Sequence, residues 1–213
     1  MQQETKTRLL DATELLIAQH GPSGASLRSI ADTAGVNLAA VNYHFGSKES
    51  LIHAVFARRL GPVNERRLAM LDEVLAANPK KPDLRRILRA LILPILETAF
   101  MPPSKSNPVQ LGSLMIRLYT EPAKVVERGF NEQMARTANR FVEAIHKALP
   151  HLDSKTLYWR AHFCVGCMVH TMHGCNILAA LSKGAVVSDN AEKALEQMIP
   201  FLEAGLRAGV THE

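Results

Sequence analysis

The stretch SLRSIADTAGVNLAAVNYHFGSKESL, residues 26–51, decides the fold of this chain. Its punctuation is that of two short helices and the start of a third. Ser26 is placed to cap a helix whose inner face is Leu27, Ile30, Ala31 and Ala34. Gly35 stands where that helix needs a left-handed residue to close. Asn37 can cap a second short helix, Leu38 to His44, and Gly46 closes it. Ser47 then caps a longer helix starting at Lys48, with Glu49 in the first turn, where the helix dipole favours an acid.

Upstream, Leu9, Ala12, Leu16 and Ile17 recur at helical spacing, so Thr5 to His20 is expected as a supporting helix stopped by Gly21-Pro22. Two short helices joined by a glycine turn and held on a longer one make a helix-turn-helix, whose second short helix enters the DNA major groove. In that helix Leu38, Val41 and Phe45 are expected to point inward. Asn37, Ala39, Ala40, Asn42, Tyr43 and His44 are then left outward. Amide side chains read adenine edges, and small alanines let a helix approach thymine methyls. Tyr43 and His44 can donate to phosphate, and Lys48 can pair with one. Ser26 and Arg28, with nearby backbone N–H groups, can hold the opposite phosphate strand. An ordinary helical corner with a polar face is the competing reading, and a solvated surface lysine is the competing reading of Lys48.

The run also resembles the TetR family of transcriptional regulators. Ile30-Ala31, Ala34-Gly35-Val36, Tyr43-x-Phe45 and Lys48-Glu49-x-Leu51 stand at that family's spacings, and the resemblance covers residues 5–55. It implies a repressor, or less often an activator, with Tyr43 and Lys48 at phosphate-contacting positions. It implies a homodimer whose last two long helices, here residues 154–182 and 190–208, form a four-helix interface. It implies too that some small-molecule effector binds the C-terminal part. One departure is the start of the recognition helix, Asn37-Leu-Ala-Ala40, where many members carry Ser, Lys or Gly. The operator sequence therefore cannot be borrowed.

The rest of the chain reads as helical. Gly and Pro cluster at 21–24, 61–62, 79–82 and 102–108 in 213 residues, and between them apolar residues recur at three and four. Helices are expected at 83–100, 109–119, 122–149, 154–182 and 190–208. Pro62, Pro94 and Pro200 should kink or interrupt theirs. Pro122 fits a first helical turn. The 122–149 helix carries the stripe Val126, Phe130, Met134, Phe141, Ile145 and Leu149. Residues 101–108 read as a loop. The expected architecture is all-α: a DNA-binding domain over 1–50 and a larger helical ligand-binding and dimerisation domain over 51–213.

Composition sets the bounds. With 47% hydrophobic and 21% charged residues the chain can bury a substantial core. No apolar run is long enough for a membrane span and no signal peptide is visible, so a cytosolic protein is expected. The net charge of +5 permits a polyanionic partner. Yet residues 1–60 hold six Lys/Arg against five Asp/Glu, so the motif and not the charge locates the reader.

A pocket between the C-terminal helices would be apolar with few polar groups. Phe100, Met115, Arg117, Tyr119, Phe130, Met134, Trp159 and Phe163 are its candidates; core packing is the plainer reading of each. Cys164, Cys167 and His170 drift around one side of a helix, with Cys175 beyond. They could bind a metal or sense an oxidant, but they equally suit close helix packing beside Gly166 and Gly174. Neither a metal nor another cofactor is expected. No nucleophile elbow, phosphate loop or metalloprotease motif is present, which leaves an enzyme or a protein-binding adaptor as the weaker alternatives.

Overall fold

The computed structural model describes the backbone of residues 2–102, 104, 109–120, 130–173, 175–187 and 190–209; the side chains at 116, 118–120, 130–133, 173 and 175–176 fall outside it. No strand occurs among the described residues. The helices are α1 (Gln2–Gly24), α2 (Leu27–Ala34), α3 (Leu38–Phe45), α4 (Lys48–Ala77), α5 (Leu84–Phe100), α6 (Leu111–Thr120), α7 (Phe130–Ala148), α8 (Ser154–His173), α9 (Cys175–Leu181) and α10 (Ala191–Arg207). The expected starts near 83, 154 and 190 hold because Asp83, Asp153 and Asn190 accept backbone N–H bonds there.

The chain divides into two compact units, residues 1–62 with 102–135 and residues 63–101 with 136–213. In the first, α1 packs on α2, α3 and α6. Leu9, Ile17, Ile30, Leu51 and Leu111 are fully buried there. Gly21 takes φ 72° and ψ 167°, which breaks α1 where the Gly-Pro pair predicts it, although one more turn follows. In the second unit α5 packs against α8 and α10. Ile87, Leu88, Ile92, Ile95 and Leu96 of α5 form the centre of its core, with Phe141 and Ile145 of α7. Arg85 and Arg207 both bind Glu203, joining α5 to α10 and holding the Glu203 carboxyl below its ordinary range, chiefly through the Arg85 hydrogen bond.

Pro62, Pro94 and Pro200 do not interrupt their helices, which continue past each of them. A proline deletes one backbone hydrogen bond, and at Pro62 and Pro94 burial on either side offsets that loss. Leu60 and Val63 are buried around Pro62, and Leu93 and Ile95 around a buried Pro94. Pro122, Val126 and most of the 101–108 segment lie outside the described residues.

Candidate nucleic-acid interface

The turn between α2 and α3 is fixed from three directions. Ser26 accepts the Ser29 amide at 3.0 Å while the Ser26 amide donates to Ser29 Oγ at 3.0 Å, a reciprocal cap. Gly35 closes α2 at φ 62° and ψ 41°, and the Val36 amide donates back to Ala31. From α1, the Arg8 guanidinium donates to the carbonyls of Ala34 (2.5 Å) and Gly35 (3.1 Å). The left-handed turn favours glycine here, and a Cβ at Gly35, 2.8 Å from the Arg8 guanidinium, would also push that clamp aside.

On this base α3 is presented as a short rod. Asn37 Oδ1 accepts the Ala40 amide at 2.8 Å, and the Gly46 amide donates to Asn42 at the other end. Val41 is its single fully buried residue, 1% exposed. Asn37, Ala39 and Asn42 are exposed, Tyr43 is 74% exposed, and Ala40 and His44 are half-buried. The Tyr43 ring stands edge-on to His44 at 5.2 Å. Leu38, expected to point inward, is 44% exposed, and Phe45 is only half-buried. In a helix of two turns, Val41 alone meets the supporting helices squarely.

The phosphate candidates are placed as follows. Arg28 is exposed on the first turn of α2. Ser26 is exposed but its oxygen is engaged in the cap. The Lys48 ammonium donates to the Ser23 carbonyl at 3.1 Å, which ties it to the end of α1 and leaves two further donors. Two contributors escaped the sequence reading. Arg8 stands four residues after Glu4, the spacing of an ordinary helix-surface pair, which disguises its grip on the turn. Lys6 lies 6.0 Å from the centroid of the Phe45 ring, so a second basic group flanks the end of α3.

The other candidates scatter. Met115 is buried in the first unit, Met134 half-buried, and Arg117 is exposed with a long 3.5 Å bond to the Gln19 carbonyl. Phe100 is half-buried in the second unit. The side chains of Tyr119 and Phe130 lie outside the described residues. Trp159 and Phe163, expected to line a pocket, are 56% and 59% exposed on the outer face of α8. That face continues along the helix: from Tyr158 to His170 its exposed residues are Tyr158, Trp159, His162, Phe163, Gly166 and His170. On α10, which packs beside α8, the exposed residues from Gln197 to Gly205 are Gln197, Pro200, Phe201, Ala204 and Gly205. Neither run contains a Lys, Arg, Asp or Glu.

Cys164, Cys167 and His170 do not share one environment. Cys164 is buried, Cys167 half-buried and His170 exposed. Among the described residues, no three His, Cys, Asp or Glu side chains are placed to hold a metal ion; Cys175's side chain lies outside them. Burial, reinforced by nearby Cys167, pushes the Cys164 thiol up to about 12. Only about one Cys164 in ten thousand would then be thiolate at pH 8, and the thiolate is the reactive form. Alkylation with iodoacetamide at that pH is expected to spare Cys164 until the protein is unfolded. Peptide mapping that found Cys164 modified as fast in native as in denatured protein would contradict this.

Residues 9–55 match the family described as "Bacterial regulatory proteins, tetR family", and residues 89–205 match "Tetracyclin repressor-like, C-terminal domain". The HTH-type transcriptional regulator SrpR of Pseudomonas putida is 31% identical over 152 residues, 70% of this chain but only 61% of SrpR. TtgW, an uncharacterized HTH-type transcriptional regulator of the same species, is 30% identical over 145 residues, 67% of this chain and 92% of TtgW. Among solved structures, the fatty acid degradation regulator FadR of Bacillus halodurans shares the fold at TM-score 0.64 and 15% identity, over 95% of this chain and 96% of that one. The hemolysin II transcriptional regulator HlyIIR does so at 0.58 and 20%, over 92% and 98%.

Proposed function

Because the chain belongs to the TetR family of DNA-binding, helix-turn-helix transcriptional regulators, we propose that it is a homodimeric repressor, released from a palindromic operator by a small-molecule effector. The observation that carries this is α3: a capped helix anchored by Val41, with Asn42 and Tyr43 turned to solvent. Asn42 and the neighbouring Ala39 and Ala40 read base edges. Tyr43, His44, Arg28, Lys48 and Ser26 hold phosphate, and Asn37 sits at the helix start beside them.

One such module buries little area, so affinity comes from two copies set roughly 34–36 Å apart on the two half-sites. The uncharged faces of α8 and α10 supply the means to join them. Trp159, Phe163 and Phe201 would be covered by the second copy. Gly166 and Gly205, where a Cβ would meet nothing within 4 Å, would let helices approach closely. In this reading residues 1–50 read DNA while 51–213 dimerise and hold the effector. The effector acts by favouring one of two spacings of the recognition helices, relayed through α4, which runs through both units. No described helix is long and apolar enough to cross a membrane, and we place the protein in the cytoplasm with its DNA.

Gel-shift titration with the DNA upstream of its own gene tests the reading. Wild-type affinity should fall steeply between 50 and 200 mM salt, by roughly a thousandfold or more if six or more phosphates are contacted. Asn42→Ala should keep the fold and the salt dependence but narrow the preference over random duplex about tenfold or more. Binding that ignores salt, or an Asn42→Ala protein with wild-type sequence preference, would count against α3 as the reader.

A further inference from the structure

Beside the uncharged face of α8 and α10, the second unit carries a groove of about 670 Å³. Its walls are the end of α8, Ile177, Leu178 and Leu181 of α9, the segment after α9, and the first half of α10. Ile177, Leu178, Leu181, Val186, Val187 and Met198 make it apolar. The first five of these are exposed, within eleven residues of chain, and Leu181 is 81% exposed.

The segment is a built turn. The Gly184 amide donates to the Ala179 carbonyl at 2.8 Å with Gly184 at φ 83°, and the Val186 amide donates to Ser182 Oγ at 2.9 Å. Two valines and a leucine are thereby held outward by hydrogen bonds, against their preference for burial. A small molecule inside the groove would cover its floor but leave most of Leu181 in water. Another protein surface would remove that exposure.

The same groove names that surface. His170 and Gln197 line it and are also steps of the α8 and α10 faces, so the groove is continuous with the face assigned above to dimerisation. Among the described residues its lining carries Lys193 and Glu196, so a two-fold copy would meet it with no excess of one charge sign from these two groups. The geometry points to a reciprocal clasp, in which Leu181 and Val187 of a second copy of this chain seat in the groove of the first, and those of the first in the second. The clasp rests on the homodimer reading. It extends the contact beyond the helix faces to an arm that each protomer lends the other.

Sedimentation equilibrium of the full chain tests it, with circular dichroism as the control for fold. The variants are Leu181→Asp with Val187→Asp, the milder Leu181→Gln, and Phe201→Glu on the helix face. Wild type should be dimeric. The double variant should weaken dimerisation at least about tenfold with unchanged helicity, since two apolar side chains lose their cover. Leu181→Gln should fall between them. A dimeric wild type whose double variant and Leu181→Gln forms associate equally well, while Phe201→Glu dissociates, would overturn the clasp and leave the dimer standing. The groove would then belong to a small molecule or another protein. A wild type that stays monomeric at tens of micromolar would overturn the dimer itself and the clasp with it.

Discussion

Val41→Asp is expected to abolish DNA binding and to destabilise the first unit by several kcal/mol. The reason lies in the length of α3. Eight residues are too few to hold a helix in water, where roughly 12–15 are marginal even for good helix formers. Its order must come from tertiary anchoring, and Val41 is its one fully buried side chain. The Asn37 cap and the Gly46 closure shape the helix but do not attach it. An aspartate at 41 either buries an unpaired charge or swings α3 off its support. Val41→Ala is the graded control, with a loss of about 2 kcal/mol from two methyl groups and the cavity they leave. Urea denaturation followed by circular dichroism, beside a gel shift, measures both. A Val41→Asp protein that bound DNA as wild type does would mean that α3 is not the element in the groove.

The helix-turn-helix was legible because its signals are local. Ser26, Gly35, Asn37, Gly46 and Ser47 each act within four residues of themselves, and each forms the cap or turn its chemistry favours. The phase of α3 was less legible. At 100° per residue Leu38 sits about 60° from Val41, and a two-turn helix has too few apolar residues to fix which one faces the support. Leu38 fell on the open side. Whether a proline interrupts its helix was less legible for the opposite reason: the backbone rule is local, and the burial that carries the helix past Pro62 and Pro94 is not. Trp159 and Phe163 show a deeper limit. A side chain buried by its own chain and one left open to solvent can obey the same helical period, so spacing alone does not separate a pocket wall from an exposed face. Nor does spacing reveal Arg8, whose carbonyl partners lie 26 and 27 residues away.

Removing the Glu14 carboxylate should produce the other large effect. Glu14 is buried on α1, 2.7 Å from Arg58 and 3.0 Å from Arg59 of α4. Its Oε1 faces Arg59 as an ion pair without the alignment of a hydrogen bond, while Oε2 accepts one from Arg58. Arg58 also binds Asp11 at 2.6 Å, and Arg59 donates to the Val109 carbonyl at 2.9 Å. Breaking a buried pair from one side typically costs about 3–5 kcal/mol, because the remaining charge keeps its desolvation without its partner. Here each arginine retains one other acceptor and Arg58 is partly open to solvent, so Glu14→Ala should cost about 2–3 kcal/mol, read as a lower urea midpoint at unchanged slope. Glu14→Leu combined with Arg59→Leu should recover much of that loss, since neither charge is then stranded. If Glu14→Ala costs less than about 0.5 kcal/mol, the cluster is a solvated surface network and contributes little. If the double variant is no better than the single, Arg59 has a structural duty to Val109 that outweighs its pairing with Glu14. A positive result would also predict weaker DNA binding by Glu14→Ala, because α1 carries the Arg8 clamp and a looser α1 holds the turn beneath α3 less firmly.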